Sequence, residues 1–224
     1  MHEFSYLYGV LSVGAVWALF FLIRPDLRRT MLMFSIMYGV AALVVEYFSV
    51  LDWWRPQTVT GTAVGIEAFL FGIFFGGACS VCYEVIFAKS GRVREQGAES
   101  KPSLRYLLLA AIGIILFGRL ILGLHSALAC ILSFASCTLF ILIRRPDLTR
   151  QALTGAVFGV LLAALFFGVP EFINSGWIES AWLLDNLSGY FIFQVPVEDV
   201  VWFVFCSAFT SVIHHYWKNR EAVG

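Results

Sequence analysis

The sequence predicts an all-α integral membrane protein of about seven transmembrane helices, built from two parallel three-helix repeats joined by a linking helix. Three observations predict it. Of 224 residues, 60% are hydrophobic and only 13% are charged, against roughly 25% charged in ordinary soluble domains. Apolar runs recur at the length a bilayer demands, about 20 residues for a hydrocarbon core of about 30 Å. A short Arg-Pro-Asp motif follows both the first and the fifth of these runs.

The runs cover residues 4–23, 31–51, 63–87, 104–123, 126–143, 151–173 and 187–213. Glu3 and the lack of any Lys or Arg ahead of the first run argue for a retained helix, since a signal peptide begins with a basic segment. After it comes Ile23-Arg24-Pro25-Asp26-Leu27-Arg28-Arg29, which recurs after the fifth run as Arg144-Arg145-Pro146-Asp147-Leu148-Thr149-Arg150. In this motif Pro starts the next helix, Asp caps it, and Arg anchors at the interface. The third run holds Cys79 and Cys82, an i, i+3 pair read as small residues in a packed helix. All five cysteines fall in apolar runs, where free Cys behaves as a buried hydrophobe. Residues 1–103 form the first repeat, 104–124 the linking helix and 125–224 the second repeat, within one membrane domain. A single crossing between the copies makes both enter the membrane in the same direction.

Basic residues give the orientation. Thirteen of the 15 Lys and Arg lie beyond the ends of odd-numbered runs, leaving Arg55 on the other side and Arg119 inside the fourth run. The positive-inside rule then places the N-terminus outside and the C-terminus in the cytoplasm of a cell membrane. With 15 acidic residues cancelling the 15 basic ones, no net field attracts nucleic acid, and membrane lipid is the expected surrounding.

Ionisable groups within spanning helices are costly and are functional candidates by default. The candidates considered among them are Glu46, Glu67, Glu84, Arg119, Glu198 and Asp199. Glu84 lies about a turn from the cytoplasmic end of its run and reads as an interfacial carboxylate near Lys89. The other five lie toward the outer side, where a shared polar site is expected, with Arg119 as a structural ion-pair partner. Glu67 and Glu198 hold matching places in the two repeats. Each is followed by aromatics on its own face, Phe71 and Phe74 in one case and Trp202 and Phe205 in the other. In low dielectric a carboxyl favours its protonated form and can donate a proton, while ring faces stabilise a nearby cation.

Other chemistries lack their parts. The chain has no GxGxxG, no GxxxxGK[ST], no HExxH and no aspartate-rich diphosphate motif. His214 and His215 point about 100° apart on a helix and are poor joint metal ligands. No metal site and no cofactor is expected.

The segment Val195-Pro196-Val197-Glu198-Asp199-Val200-Val201-Trp202-Phe203 resembles the Pro-x-Glu-Glu-aromatic motif of the integral-membrane lycopene cyclases, the heterodimeric or fused type. Asp52-Trp53-Trp54 followed by Gly65-Ile66-Glu67-Ala68-Phe69-Leu70-Phe71 is similar to that family's first Asp-Trp and Pro-x-Glu-Glu stretch. Gly65 stands where the family has Pro, Ala68 where it has a second acid, and Asp199 where it has Glu. The resemblance implies a carotenoid-pathway enzyme that cyclises a lipophilic polyene end group without net redox change. Glu198 would be the acid, Asp199 or Glu67 would hold, share or accept the proton, Glu46 is a further catalytic candidate, and Trp202, Phe205, Phe71 and Phe74 would shield the cation. Two alternatives stay open: a membrane terpene cyclase acting on a prenylated meroterpenoid or indole terpenoid, and a proton-coupled transporter.

Overall fold

A computed structural model describes residues 2–93, 104–218 and 220–223. The chain enters as helix α1 (Ser5–Ile23), and Pro25 ends it. The residue before a proline is driven out of helical geometry, and Arg24 adopts φ −126°, ψ 74°. A 3₁₀ turn (Pro25–Leu27) then leads into α2 (Arg28–Asp52). The second motif repeats the geometry. α6 (Ser126–Arg144) stops at Arg145 with φ −137°, ψ 72°, and the turn Pro146–Leu148 starts α7 (Thr149–Ile173). Neither Asp caps its helix as expected. Asp26 instead accepts both forks of Arg24 at 2.9 and 2.8 Å, and Asp147 those of Arg145 at 2.8 and 2.7 Å. A bidentate guanidinium is the stronger partner, and it fixes the corner.

Among the described residues five helical segments are long and apolar enough to cross a bilayer: Ser5–Ile23, Pro25–Asp52, Ser126–Arg144, Pro146–Ile173 and Val197–Lys218. The remaining runs are shorter or broken. Run 63–87 divides into α3 (Ile66–Cys79) and α4 (Cys82–Ile86). At the break Ser80 donates its hydroxyl to the Gly77 carbonyl at 2.8 Å, a local bond that competes with the helical ladder. Run 104–123 gives α5 (Leu104–Leu120). The last helix, α9 (Val197–Lys218), begins well after residue 187. Ahead of it come a short helix, α8 (Trp177–Ala181), a 3₁₀ turn (Leu184–Asn186) and a hairpin of β2 (Phe191–Ile192) with β3 (Val195–Pro196). The hairpin turns on Phe193 and Gln194, at φ 49° and 69°, a positive pair suited to a two-residue turn.

α2 packs along α3 and α7 along α9, while α1 contacts α3 and α7, α6 contacts α9, and α5 covers α6. Small residues permit the close pairs. Gly72 and Gly76 receive the backbone and ring of Tyr38, and Gly155 and Gly159 receive α9. A Cβ on Gly155 would sit 2.5 Å from Ser211 Oγ and 2.7 Å from the Ser207 carbonyl. All five cysteines are buried free thiols, and Cys79 approaches the Ser207 hydroxyl at 3.4 Å.

At one end of the bundle the outgoing end of α1, α4 and the end of α9 meet. Arg24 donates to the carbonyls of Glu84 and Lys89 at 2.5 and 2.7 Å. β1 (Ser90–Val93) pairs antiparallel with β4 (Arg220–Val223). The side chains of Glu84 and His215 do not face solvent at this end. Both are buried, and Glu84 Oε1 is 2.5 Å from His215 Nε2. The helix break ahead of α4 lets Glu84 share this interior with α9. The basic residues Arg94 and Lys101, on which part of the orientation argument rests, lie outside the described residues.

Candidate functional site

The opposite end gathers the start of α1, the end of α2, the starts of α3, α6 and α9, and the loop after α8. Backbone bonds pin the end of α2 to the loop after α8. Arg55 N donates to the Ala181 carbonyl at 2.5 Å, Leu183 N to the Trp53 carbonyl at 2.9 Å, and Trp54 bridges Trp182. Three indoles are thereby aimed inward.

Two of them converge on Asp199, in the first turn of α9. Trp53 and Trp182 donate Nε1–H to its Oδ2 at 3.3 and 2.9 Å. The third, Trp54, donates to Glu46 Oε2 at 3.1 Å, and the Tyr6 hydroxyl lies beside the same carboxyl. Glu67 and Glu198, each near the start of its helix, hold the preceding loops. Glu67 Oε1 accepts Val59 N–H, and Glu198 Oε1 accepts Ser188 N–H, both at 2.6 Å. A helix N-terminus suits such an acceptor. Gly65 leaves room for the folded-back Glu67, because a Cβ there would meet Glu67 Oε2 and Thr58. Four carboxyls are therefore buried at this end, at 5% (Glu46), 0% (Glu67), 5% (Glu198) and 4% exposure (Asp199). One oxygen of each Glu, Oε1 of Glu46 and Oε2 of Glu67 and Glu198, is buried without a hydrogen-bond partner in the protein.

Aromatic rings pack directly under these groups. Trp202 lies 6.0 Å from Trp53 and 6.2 Å from Phe71 between ring centroids, and Phe71 continues to Phe166 at 5.0 Å. Phe203 and Phe75 complete the cluster. Phe74 lies elsewhere, against Trp17 at 5.8 Å and in the space left by Gly14 on α1. Phe205 is half-buried, and its neighbour Phe203 is the α9 phenylalanine in the cluster.

Arg119, in the last turn of α5, pairs with Asp52 rather than with any of the four buried carboxyls. Asp52 also accepts the Ser126 hydroxyl at 2.5 Å and the Ser126 N–H at 3.1 Å, tying α2, α5 and α6 together. His125, half-buried at the cap of α6, interacts with Glu198. Burial pushes its imidazole down from the ordinary value, the negative charge of Glu198 opposes this, and Arg119 adds to it. Among the described residues no three His, Cys, Asp or Glu converge as a metal-binding set.

Sequence reasoning misses Tyr6, Trp182, Phe166 and Phe203. Trp53 and Trp54 carry a signal as the Asp-Trp-Trp motif, but Trp182 lies between apolar runs and has none. Chemically, the arrangement sets buried carboxyls beside electron-rich rings, a combination suited to protonating an apolar π-system and stabilising the cation that results.

Fold and site together define an all-helical membrane protein with a buried carboxylate–indole centre. A sequence model of the lycopene cyclase family matches residues 5–86 and 125–217, and the chain belongs to that family. The two matched stretches carry all four buried carboxyls. α5 and Arg119 fall between them. No curated protein and no solved structure matches the chain.

Proposed function

We propose that this protein catalyses a proton-initiated, non-redox cyclisation of a polyene end group, with a carotenoid such as lycopene as substrate. The observation that carries the proposal is Asp199, whose Oδ2 takes two indole N–H bonds at the rim of the Trp202–Phe71 aromatic cluster. With Oδ2 held as the acceptor, Oδ1 is the oxygen that carries the transferable proton. Sequence reasoning favours Glu198 as the acid. The geometry favours Asp199, because Glu198 is engaged with the loop N–H of Ser188. Protonation of a terminal double bond gives a tertiary cation, an internal double bond closes the ring, and loss of a proton leaves a ring alkene. Electrons are conserved throughout, so the reaction requires no redox cofactor.

The test is pigment chromatography of a lycopene-accumulating bacterial host expressing the protein beside Asp199→Asn and Glu198→Gln at matched membrane levels. The wild type is expected to form β- or γ-carotene, and Asp199→Asn to lose activity by a factor of about 10² to 10⁴. Unchanged lycopene with well-inserted wild-type protein would remove lycopene as the substrate. A second reading, cyclisation of a prenylated meroterpenoid or indole substrate, is favoured by the buried unpartnered oxygens of Glu46, Glu67 and Glu198. Such oxygens can accept hydrogen bonds from a polar head group, which a hydrocarbon lacks.

The same proposal includes seven crossings in two copies of a three-helix unit, with the carboxylate end facing the outer side. It is supported by the recurrent Arg-Pro-Asp corner and by the like pairing of α2 with α3 and α7 with α9.

A further inference from the structure

Glu46 stands apart from the acids of the first helical turns. It lies late in α2, its Oε2 is held by Trp54, and its Oε1 is buried with no partner in the protein. Tyr6 reaches it from α1. This tyrosine is 1% exposed, and its ring meets Trp54 edge-on at 4.8 Å and Phe166 at 6.1 Å. Trp54 in turn lies 5.1 Å from Trp182, the indole that holds Asp199. One tilted indole pair therefore separates two carboxyl environments. On one side Asp199 has two N–H donors on a single oxygen. On the other Glu46 has one indole, one phenol and a free oxygen.

Cyclisation by proton transfer needs both a donor and an acceptor. A single carboxyl would have to act at two separated carbons of the substrate, the protonated alkene terminus and the ring carbon that loses hydrogen. Resting on the cyclase reading above, we propose that Glu46 is the base that ends the reaction and that Tyr6 is its positioning residue, so that this pair selects which ring alkene forms. In the step, the cyclic tertiary cation loses a proton from a carbon next to its charged centre. The C–H electron pair becomes the ring double bond, and the proton passes to Glu46 Oε1. Asp199 supplied one proton at the start and Glu46 takes one at the end, so the substrate gains and loses equally and nothing is oxidised or reduced. Exchange with water restores both carboxyls. Trp182, whose indole holds Asp199, also lines an open cleft of about 350 Å³ together with Glu179, Leu183, Leu184, Asp185 and Asn186. Among the described residues Glu67 lies within electrostatic reach of both Glu46 and Tyr6 and is a further titratable group facing the pair.

The experiment compares wild type, Tyr6→Phe and Glu46→Gln in isolated membranes supplied with lycopene or with a prenylated aryl substrate. It reads substrate consumed and the ratio of ring-alkene isomers and hydrated ring products. Tyr6→Phe keeps the ring contacts with Trp54 and Phe166, so its folding is preserved. Loss of its single hydroxyl is expected to shift the product ratio by about fivefold, the effect of one neutral hydrogen bond on competing barriers. Glu46→Gln is expected to cut formation of the main ring alkene by about 100-fold, the scale of one general base, with hydrated or isomeric rings making up the remainder. Ring formation with wild-type product ratios in both variants overturns the Glu46–Tyr6 assignment and leaves the cyclase reading standing. Wild-type protein that forms no ring from either substrate overturns both.

Discussion

Glu67 and Glu198 occupy the same place in their helices and perform the same local task, each accepting a loop N–H at 2.6 Å near a helix start. In the reaction proposed above, this task sets them apart from Asp199 and Glu46. Glu198→Gln retains an oxygen that can accept Ser188 N–H, whereas Glu198→Ala leaves that exposed N–H to water. The alanine variant is expected to lose about 0.5–1.5 kcal/mol of stability and the glutamine variant much less, measured as thermal unfolding in detergent. Equal losses would show that the bond to Ser188 does not hold the loop. Glu84 and His215 form the other buried pair, at the far end of the bundle. Removing one member of this buried hydrogen-bonded pair strands the other, at a cost of about 1–3 kcal/mol. His215→Ala is therefore expected to unfold more readily than the double variant Glu84→Gln/His215→Ala. Wild-type stability of His215→Ala would remove the pair from the fold's supports.

Close helix contacts rest on glycines that face a neighbour. Gly155 and Gly159 on α7 touch the backbone and hydroxyls of α9, while a methyl added at Gly168 on the same helix would meet nothing within 4 Å. Gly159→Leu is expected to push α7 off α9 and reduce the yield of folded protein in detergent, whereas Gly168→Ala is expected to be neutral or to add up to about 1 kcal/mol of stability. Fluorescence-detected size-exclusion chromatography reads both. Similar profiles for the two variants would mean that the α7–α9 contact tolerates separation. Element positions are legible where composition alone decides them, as in α1, α2, α6 and α7. They are not legible at α9, because Tyr190 to Val195 are as apolar as a helix and only the positive φ of Phe193 and Gln194 turns them into a hairpin. The break at Ser80 is hidden too, because its hydroxyl bond to the carbonyl three residues back recurs at Ser12 and Ser211 inside unbroken helices. Buried carboxyls can be found as charges in apolar runs, but their partners cannot. Asp199 meets Trp53 from 146 positions away, and no periodicity encodes such a pairing.

On the scale of the molecule, the two ends of the bundle differ in chemistry. The end that holds Glu84 and His215 also carries Arg24, Arg28, Arg29, Lys89, Arg144, Arg145, Arg150 and Lys218, whereas the carboxylate end carries Arg55 and Arg119. Translocation of short basic loops is unfavourable, so the basic end is expected to stay in the cytoplasm. A green fluorescent protein fused after Gly224 should then fluoresce in a bacterial host, and alkaline phosphatase fused within the loop between α7 and α9 should be active. The reverse pattern would invert the molecule and place the acids on the cytoplasmic side. Orientation also sets the source of the reaction's protons. In the orientation expected from the basic loops, Trp182 and its cleft face outward, and cyclisation in sealed right-side-out vesicles should respond to external pH and be unaffected by internal pH across a matched range. Dependence on internal pH alone would mean that Asp199 recharges through the bundle, along α9 from the Glu84–His215 end.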